Sequence, residues 1–255
     1  MRLVQLSDLH VVPQNRQPIH GVDTLVRLRA SINIINTLDP LPNFVVVTGA
    51  QTHDEADDSY QAVKDALSKL RFPCHLALGN HDCRSGFRRI MLEEAGTSVA
   101  PYYYSFDSKG YKIVVLDTLE EGKVSGKLDD YQLDWLEQEF SLNLPTIVCM
   151  HHPPIPVGVP WMDALILNES DRFLRICRSH DLLKLILCGH VHHEFRLELG
   201  HATVLTAPSV GPQFRKEPIF ETDGTRVIVT GEPAAFRIID LDGDGWKTKI
   251  HQLAV

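Results

Sequence analysis

With 255 residues, 44% hydrophobic and 23% charged, the chain has the size and balance of a globular protein with a sizeable core, which excludes a disordered or collagen-like one. Against 33 Asp and Glu stand only 25 Lys and Arg, a net charge of −8 that argues against a surface tracking polymeric nucleic acid. A small anionic substrate at a local cationic centre remains compatible with that balance. The 13 histidines, more than half the number of Lys plus Arg, are the unusual entry in the composition and are followed individually below.

Six short apolar runs of strand length appear in chain order: Leu3 to Leu6, Phe44 to Val47, Cys74 to Leu78, Ile113 to Leu116, Ile147 to Met150 and Leu183 to Cys188. Helix-period stretches lie between them. Leu25, Leu28, Ile32 and Ile35 recur at helical steps, as do Tyr60, Val63, Leu67 and Leu70, and then Leu133, Leu136 and Phe140. Near-uniformly apolar strands alternating with amphipathic helices predict an α/β protein whose sheets are covered by helices. From about residue 195 the texture changes to short segments broken by Gly, Pro and Asp, at Phe195 to Leu199, Thr203 to Thr206, Arg226 to Val229, Phe236 to Leu241 and Lys247 to Leu253. These predict antiparallel strands that add to a sheet rather than form a second domain, so residues 1–255 are read as a single domain. The Pro- and Gly-rich stretch within 208–233 is expected to be a flap or an oligomer contact.

Five scattered cysteines with no CxxC pair predict free thiols in a reducing cytoplasm. No signal-peptide core and no run of apolar residues long enough to span a membrane are found, so neither export nor a membrane partner is expected.

Metal-ligating residue types fall just past four of the six runs: Asp8 and His10, then Asn80 and His81, then His151 and His152, then His190, His192 and His193. In an open α/β sheet the loops at the carboxyl ends of strands converge on one crevice, so these sequence-distant groups become neighbours. A cluster of His with Asp and Asn has the borderline N/O character suited to Mn, Fe, Zn or Co. The second run breaks the series, since it ends Thr48-Gly49-Ala50, with alanine where a carboxylate is expected. Gly79 and Gly189 are read as backbone-permissive residues at sharp turns. His20, His53, His75, His180, His201 and His251 are read as ordinary structural histidines, and Asp117 as a turn or supporting residue. Asp240 to Gly245 imitates the start of an EF-hand loop, but its alternating flanks favour a tight hairpin turn.

The ordered set Asp8-Leu9-His10, Gly49-Ala50, Gly79-Asn80-His81-Asp82, His151-His152-Pro153-Pro154 and Gly189-His190-Val191-His192 resembles the calcineurin-like metallophosphoesterases, in particular the class III cyclic nucleotide phosphodiesterases and glycerophosphodiesterases. The resemblance implies an αββα sandwich of two mixed sheets flanked by helices, with a dinuclear metal centre. It implies that Asp8, His10 and His192 hold one metal, that Asn80, His151 and His190 hold the other, and that His81 assists the leaving oxygen, with Asn80 and His81 facing substrate. In such a centre two divalent ions clamp the phosphoryl oxygens and acidify a water. The bridging aspartate implied by the resemblance falls on Ala50, so at most one metal is expected to be held firmly and hydrolysis to be severely reduced. A single apolar replacement with every other ligand kept reads as deliberate inactivation rather than drift. The expected substrate is a small phosphodiester, a 3′,5′-cyclic nucleotide such as cAMP ahead of a glycerophosphodiester, a 2′,3′-cyclic nucleotide or a phosphonate monoester. A silent ligand-binding protein is the alternative of another class, and a mononuclear iron oxygenase on Asp8, His10 and His192 leaves the other ligand types unexplained. A homodimer or larger homo-oligomer is expected by the same resemblance.

Overall fold

The computed structural model describes residues 1–243 and 245–254. The six apolar runs form the strands β1 (Arg2–Leu6), β2 (Phe44–Thr48), β3 (Cys74–Ala77), β5 (Tyr111–Val115), β6 (Thr146–Cys149) and β7 (Leu183–Cys188), with β4 (Tyr104–Ser108) paired antiparallel to β5. The helical periods become α1 (Thr24–Ile35), α2 (Asp57–Leu67) and α4 (Asp130–Phe140). Asp23 caps α1 and Asp129 caps α4, each accepting a first-turn backbone N–H through its carboxylate. Three shorter helices, α3 (Arg84–Ile90), α5 (Pro160–Asp163) and α6 (Asp171–Arg178), lie in segments the sequence reading did not assign to helices. Beyond them come β8 (Phe195–Leu199), β9 (Ala202–Thr206), β10 (Gln213–Phe220), β11 (Arg226–Thr230), β12 (Ala235–Asp242) and β13 (Gly245–Gln252).

Two sheets result, one in the order β13-β12-β1-β2-β3 and the other in the order β4-β5-β6-β7-β9-β8, while β10 and β11 form a separate ribbon. Both sheets are mixed, with parallel β1-β2-β3 and β5-β6-β7-β9 segments edged by antiparallel strands. One expectation is corrected here: β9 runs antiparallel to β8 but inserts parallel to β7, a pairing that local alternation does not encode.

Side-chain alternation divides each strand between two cores. Leu3, Phe44, Val46, Ile113, Val115, Ile147, Cys149, Leu185 and Leu187 face one another between the sheets. Val4, Leu6, Val45 and Val47 point outward under α1 and α2, whereas Val114, Val148, Met150 and Ile186 point outward under α4 and α6. Being buried on both faces is why these runs carry so few polar residues. The layers are helix, sheet, sheet and helix, an αββα sandwich. The β12–β13 register closes at Asp242 opposite Gly245, the hairpin expected in place of a calcium loop, although Asp244 itself lies outside the described residues.

Candidate metal centre

The strand ends of β1, β2, β6 and β7 open onto one crevice, where the backbone leaves the sheet through the left-handed region. Asp8, His10, Ala50, His190 and His192 all have positive φ, at 53°, 46°, 50°, 72° and 53°. Such a conformation costs a non-glycine residue about 1–2 kcal/mol, and its clustering marks a site held by its surroundings. Gly79 and Gly189 are not in that region, which corrects the sequence reading of both. They are glycine because of close approach: a Cβ at Gly79 would collide with the Ala50 backbone nitrogen, and one at Gly189 with Ser7 Oγ and Asp8 Oδ2.

Two triads of donor atoms converge there. Asp8 Oδ1 lies 3.3 Å from His192 Nε2, which lies 3.2 Å from His10 Nε2. Asn80 Oδ1 lies 3.0 Å from His151 Nε2 and 3.1 Å from His190 Nδ1. Asp8 Oδ1 also stands 3.9 Å from His151 Nε2, between the two sets. Donors held about 2.0–2.2 Å from a shared ion stand about 3.0–3.5 Å from one another, so both triads fit a divalent metal.

The remaining ring nitrogens support that assignment. His151 Nδ1 is 2.7 Å from the Thr48 carbonyl and His192 Nδ1 is 2.6 Å from the Pro212 carbonyl. Each carbonyl accepts a proton held on the outer nitrogen, the tautomer that turns a lone pair inward toward a metal. His152 has neither nitrogen to spare, with Nδ1 2.8 Å from Thr118 Oγ1 and Nε2 3.0 Å from the Val124 carbonyl. It supports the loop rather than completing a triad.

Burial pushes His10 and His151 below their ordinary values and His190 down to about 3, which keeps these rings neutral at pH 7. Around Asp8, burial works against the charge, but the imidazoles of His192, His151 and His10 outweigh it and hold the carboxyl below its usual range. Ser7 Oγ at 2.6 Å and the His190 backbone N–H at 3.0 Å donate to Asp8 Oδ2.

Comparison with known proteins gives a match to the calcineurin-like phosphoesterase model over residues 1–194. The chain belongs to the calcineurin-like phosphoesterase family. It is 28% identical over 254 residues to a 3′,5′-cyclic-nucleotide phosphodiesterase of Nostoc, covering 98% of this chain and 92% of that one. To the 3′,5′-cyclic adenosine monophosphate phosphodiesterase CpdA of Escherichia coli it is 28% identical, covering 100% and 90%. To the glycerophosphodiester phosphodiesterase GpdQ of Enterobacter lignolyticus it is 29% identical, covering 100% and 92%. A dimetal phosphatase from Danio rerio shares the fold with a TM-score of 0.77 at 16% identity, covering 98% of this chain and 96% of that one.

The crevice is lined by the polar residues Asp8, His10, Asn80, His81, His190 and His192 and by an apolar set that includes Val124, Trp161, Met162, Leu165, Val191, Phe214 and Ile228. Phe214 and Ile228 come from the β10–β11 ribbon, so the Pro- and Gly-rich stretch reaches the site. Trp161 Nε1 donates to the Lys216 carbonyl at 3.0 Å, and the Phe214 ring stacks on His192 at 3.7 Å. No Lys or Arg is among the described residues lining the crevice.

Two groups at the site were not singled out from the sequence. Asp82 is buried and accepts from the backbone N–H groups of Gly79, Gln51 and Thr52 at 2.9, 3.1 and 3.3 Å, stapling the loop of Asn80 to the loop of Ala50. Burial pushes its carboxyl up to about 7 against those donors. His53, read as an ordinary loop histidine, instead joins His10 and His81 in a close group, with Nδ1 3.3 Å from His10 Nδ1. Histidines 75, 180 and 251 do pack as ordinary residues, stacked on Phe106, Phe140 and Phe236. Asp117 accepts from Arg84 Nε at 2.8 Å and the Leu119 N–H at 2.9 Å, a supporting role away from the triads.

Proposed function

We propose that the chain is a metal-dependent phosphodiesterase for a small phosphodiester, with a 3′,5′-cyclic nucleotide such as cAMP as the leading substrate, and that Ala50 leaves it severely impaired. The observation that carries this reading is the pair of donor triads in a crevice lined by imidazoles and, among the described residues, by no Lys or Arg. A phosphate anion in such a crevice needs bound cations to hold it, and the donor set suits Mn, Fe, Zn or Co. Divalent ions, when bound, neutralise the phosphoryl oxygens and acidify the attacking water.

The chain's own residues supply the rest. His81 donates Nδ1–H to the His53 carbonyl at 3.1 Å, which leaves Nε2 for the crevice. Burial lowers its pKa, so the ring is neutral until a phosphodiester anion beside it favours the imidazolium. The proton gained at Nε2 is then delivered to the departing oxygen, help typically worth about 10²- to 10⁴-fold. Trp161, Phe214 and Ile228 give the crevice aromatic and apolar lining, which favours a substituent such as a nucleobase over glycerol. The relatives that act on cyclic nucleotides support the same choice.

Ala50 occupies a left-handed position (φ 50°) where Asp and Asn are far better tolerated than Ala, and it is fully buried. With it, the second triad has no carboxylate, so at most one metal is held firmly. The five free cysteines suit a reducing cytoplasm. The test is Ala50→Asp, assayed in Mn²⁺ against cAMP, glycerophosphodiesters and bis(p-nitrophenyl) phosphate. Turnover of cAMP gained by the variant is expected. Preference for glycerophosphodiesters overturns the substrate, and two bound metals without turnover of any diester points to a silent binding protein.

A further inference from the structure

Two inward-facing imidazoles of the triads have a backbone carbonyl as partner of the outer nitrogen, Thr48 for His151 and Pro212 for His192. For His10 it is a side chain: His10 Nδ1 stands 3.3 Å from His53 Nδ1. The backbone dictates this juxtaposition. The His10 N–H donates to the Ala50 carbonyl at 3.0 Å, the Val11 N–H to the Gln51 carbonyl at 3.0 Å, and the His53 N–H to the Val11 carbonyl at 3.3 Å. Segments 10–11 and 50–53 therefore run side by side, and His53 is laid along the outer edge of the His10 ring.

His10 differs in that both of its neighbours are imidazole nitrogens, which can donate or accept, rather than oxygens that only accept. Its Nε2 lies 3.2 Å from His192 Nε2, and His192 has its proton committed on Nδ1 to Pro212. A neutral His10 can place its proton on Nε2 and donate to His192, which blocks the lone pair a metal needs, or on Nδ1 and donate to His53, which frees it.

We propose that His53 is a positioning residue of the metal centre, resting on the centre proposed above. It accepts the Nδ1–H of His10, holds its own proton on Nε2, and so fixes His10 in the tautomer that presents Nε2 to the first metal. No proton is gained or lost in this step; it selects where one proton resides. The His53 ring also stacks on His81 at 5.1 Å, so the same residue backs both side chains.

The test compares the chain with His53→Ala, His53→Asn and, as a control, His192→Ala, by calorimetric Mn²⁺ titration and by ¹⁵N spectra of the histidine rings in the metal-free protein. His53→Ala should weaken the tightest Mn²⁺ site by about 10- to 100-fold, the range found when such outer partners are removed. It should also move the His10 proton from Nδ1 to Nε2. In His53→Asn the Oδ1 atom can take the place of the acceptor, so affinity should return to within about threefold and the proton to Nδ1. His53 is half-buried, and equal thermal midpoints for the metal-free variants separate a tautomer effect from unfolding. Unchanged affinity in His53→Ala with the His10 proton still on Nδ1 overturns the proposal, as does equal weakening by Ala and Asn. No loss of Mn²⁺ in His192→Ala overturns the metal centre itself.

Discussion

At the first triad Asp8 sets a full negative charge against two imidazoles, and that charge is held in turn by Ser7 Oγ and the His190 N–H. At the second triad Asn80 offers an amide oxygen to two imidazoles of the same kind, at nearly the same distances. The two halves are equal in shape and unequal in charge. Shape here comes from the left-handed turns at Asp8, His10, His190 and His192 and from the outer carbonyls facing His151 and His192, and Ala50 keeps a turn of the same kind without a carboxylate. Charge comes from carboxylates alone, so on the function proposed above the second site is expected to be well formed and weak.

The largest effect expected of breaking this contrast comes from Asp8→Asn. It makes the first triad as neutral as the second, and stoichiometric Mn²⁺ binding, read by elemental analysis after gel filtration, should disappear. A retained full equivalent would place the firm site elsewhere. Next is Asp82→Ala, which leaves the buried N–H groups of Gly79, Gln51 and Thr52 without their acceptor. A loss of about 3 kcal/mol is expected, seen as a fall in Tm on the order of 10 °C. None of the Asp82 partners is a donor atom of the first triad, so Mn²⁺ binding there should be weakened less than by Asp8→Asn. Separate from these substitutions is the dependence on pH. Burial depresses His10, His151, His152 and His190 in the folded chain, whereas the unfolded chain takes up protons near pH 6.5. Stability from keeping these rings neutral is present above that pH and is lost as pH falls toward about 3, the value for His190. The Tm of the metal-free chain should therefore fall steadily from pH 7 to pH 5, and a flat profile would show that the rings are not held neutral.

Much of this centre was legible in the sequence because the candidate ligands follow near-uniformly apolar runs, buried on both faces, whose ends the first polar residues mark. Asp8, His151 and His190 needed nothing more than the end of β1, β6 and β7. His53 was not legible, since its role depends on the pairing of residues 50–53 with Val11, a contact between two loops that carry no periodic pattern. The apolar lining was hidden for a similar reason: Trp161 comes from a four-residue helix and Phe214 and Ile228 from a ribbon outside both sheets, so no period in any one segment points at the crevice. Gly79 and Gly189 show the limit from another side. A glycine required by φ and one required by a neighbouring atom read the same in sequence, and only the approach of Ser7, Asp8 and Ala50 separates them.

The most direct test of the account is the number of Mn²⁺ ions each chain binds, measured by calorimetric titration of the protein as it stands and of Ala50→Asp. One firm equivalent for the first and two for the second is the predicted result. Two equally firm equivalents without the aspartate would contradict the claim that charge, rather than geometry, is what the second site lacks.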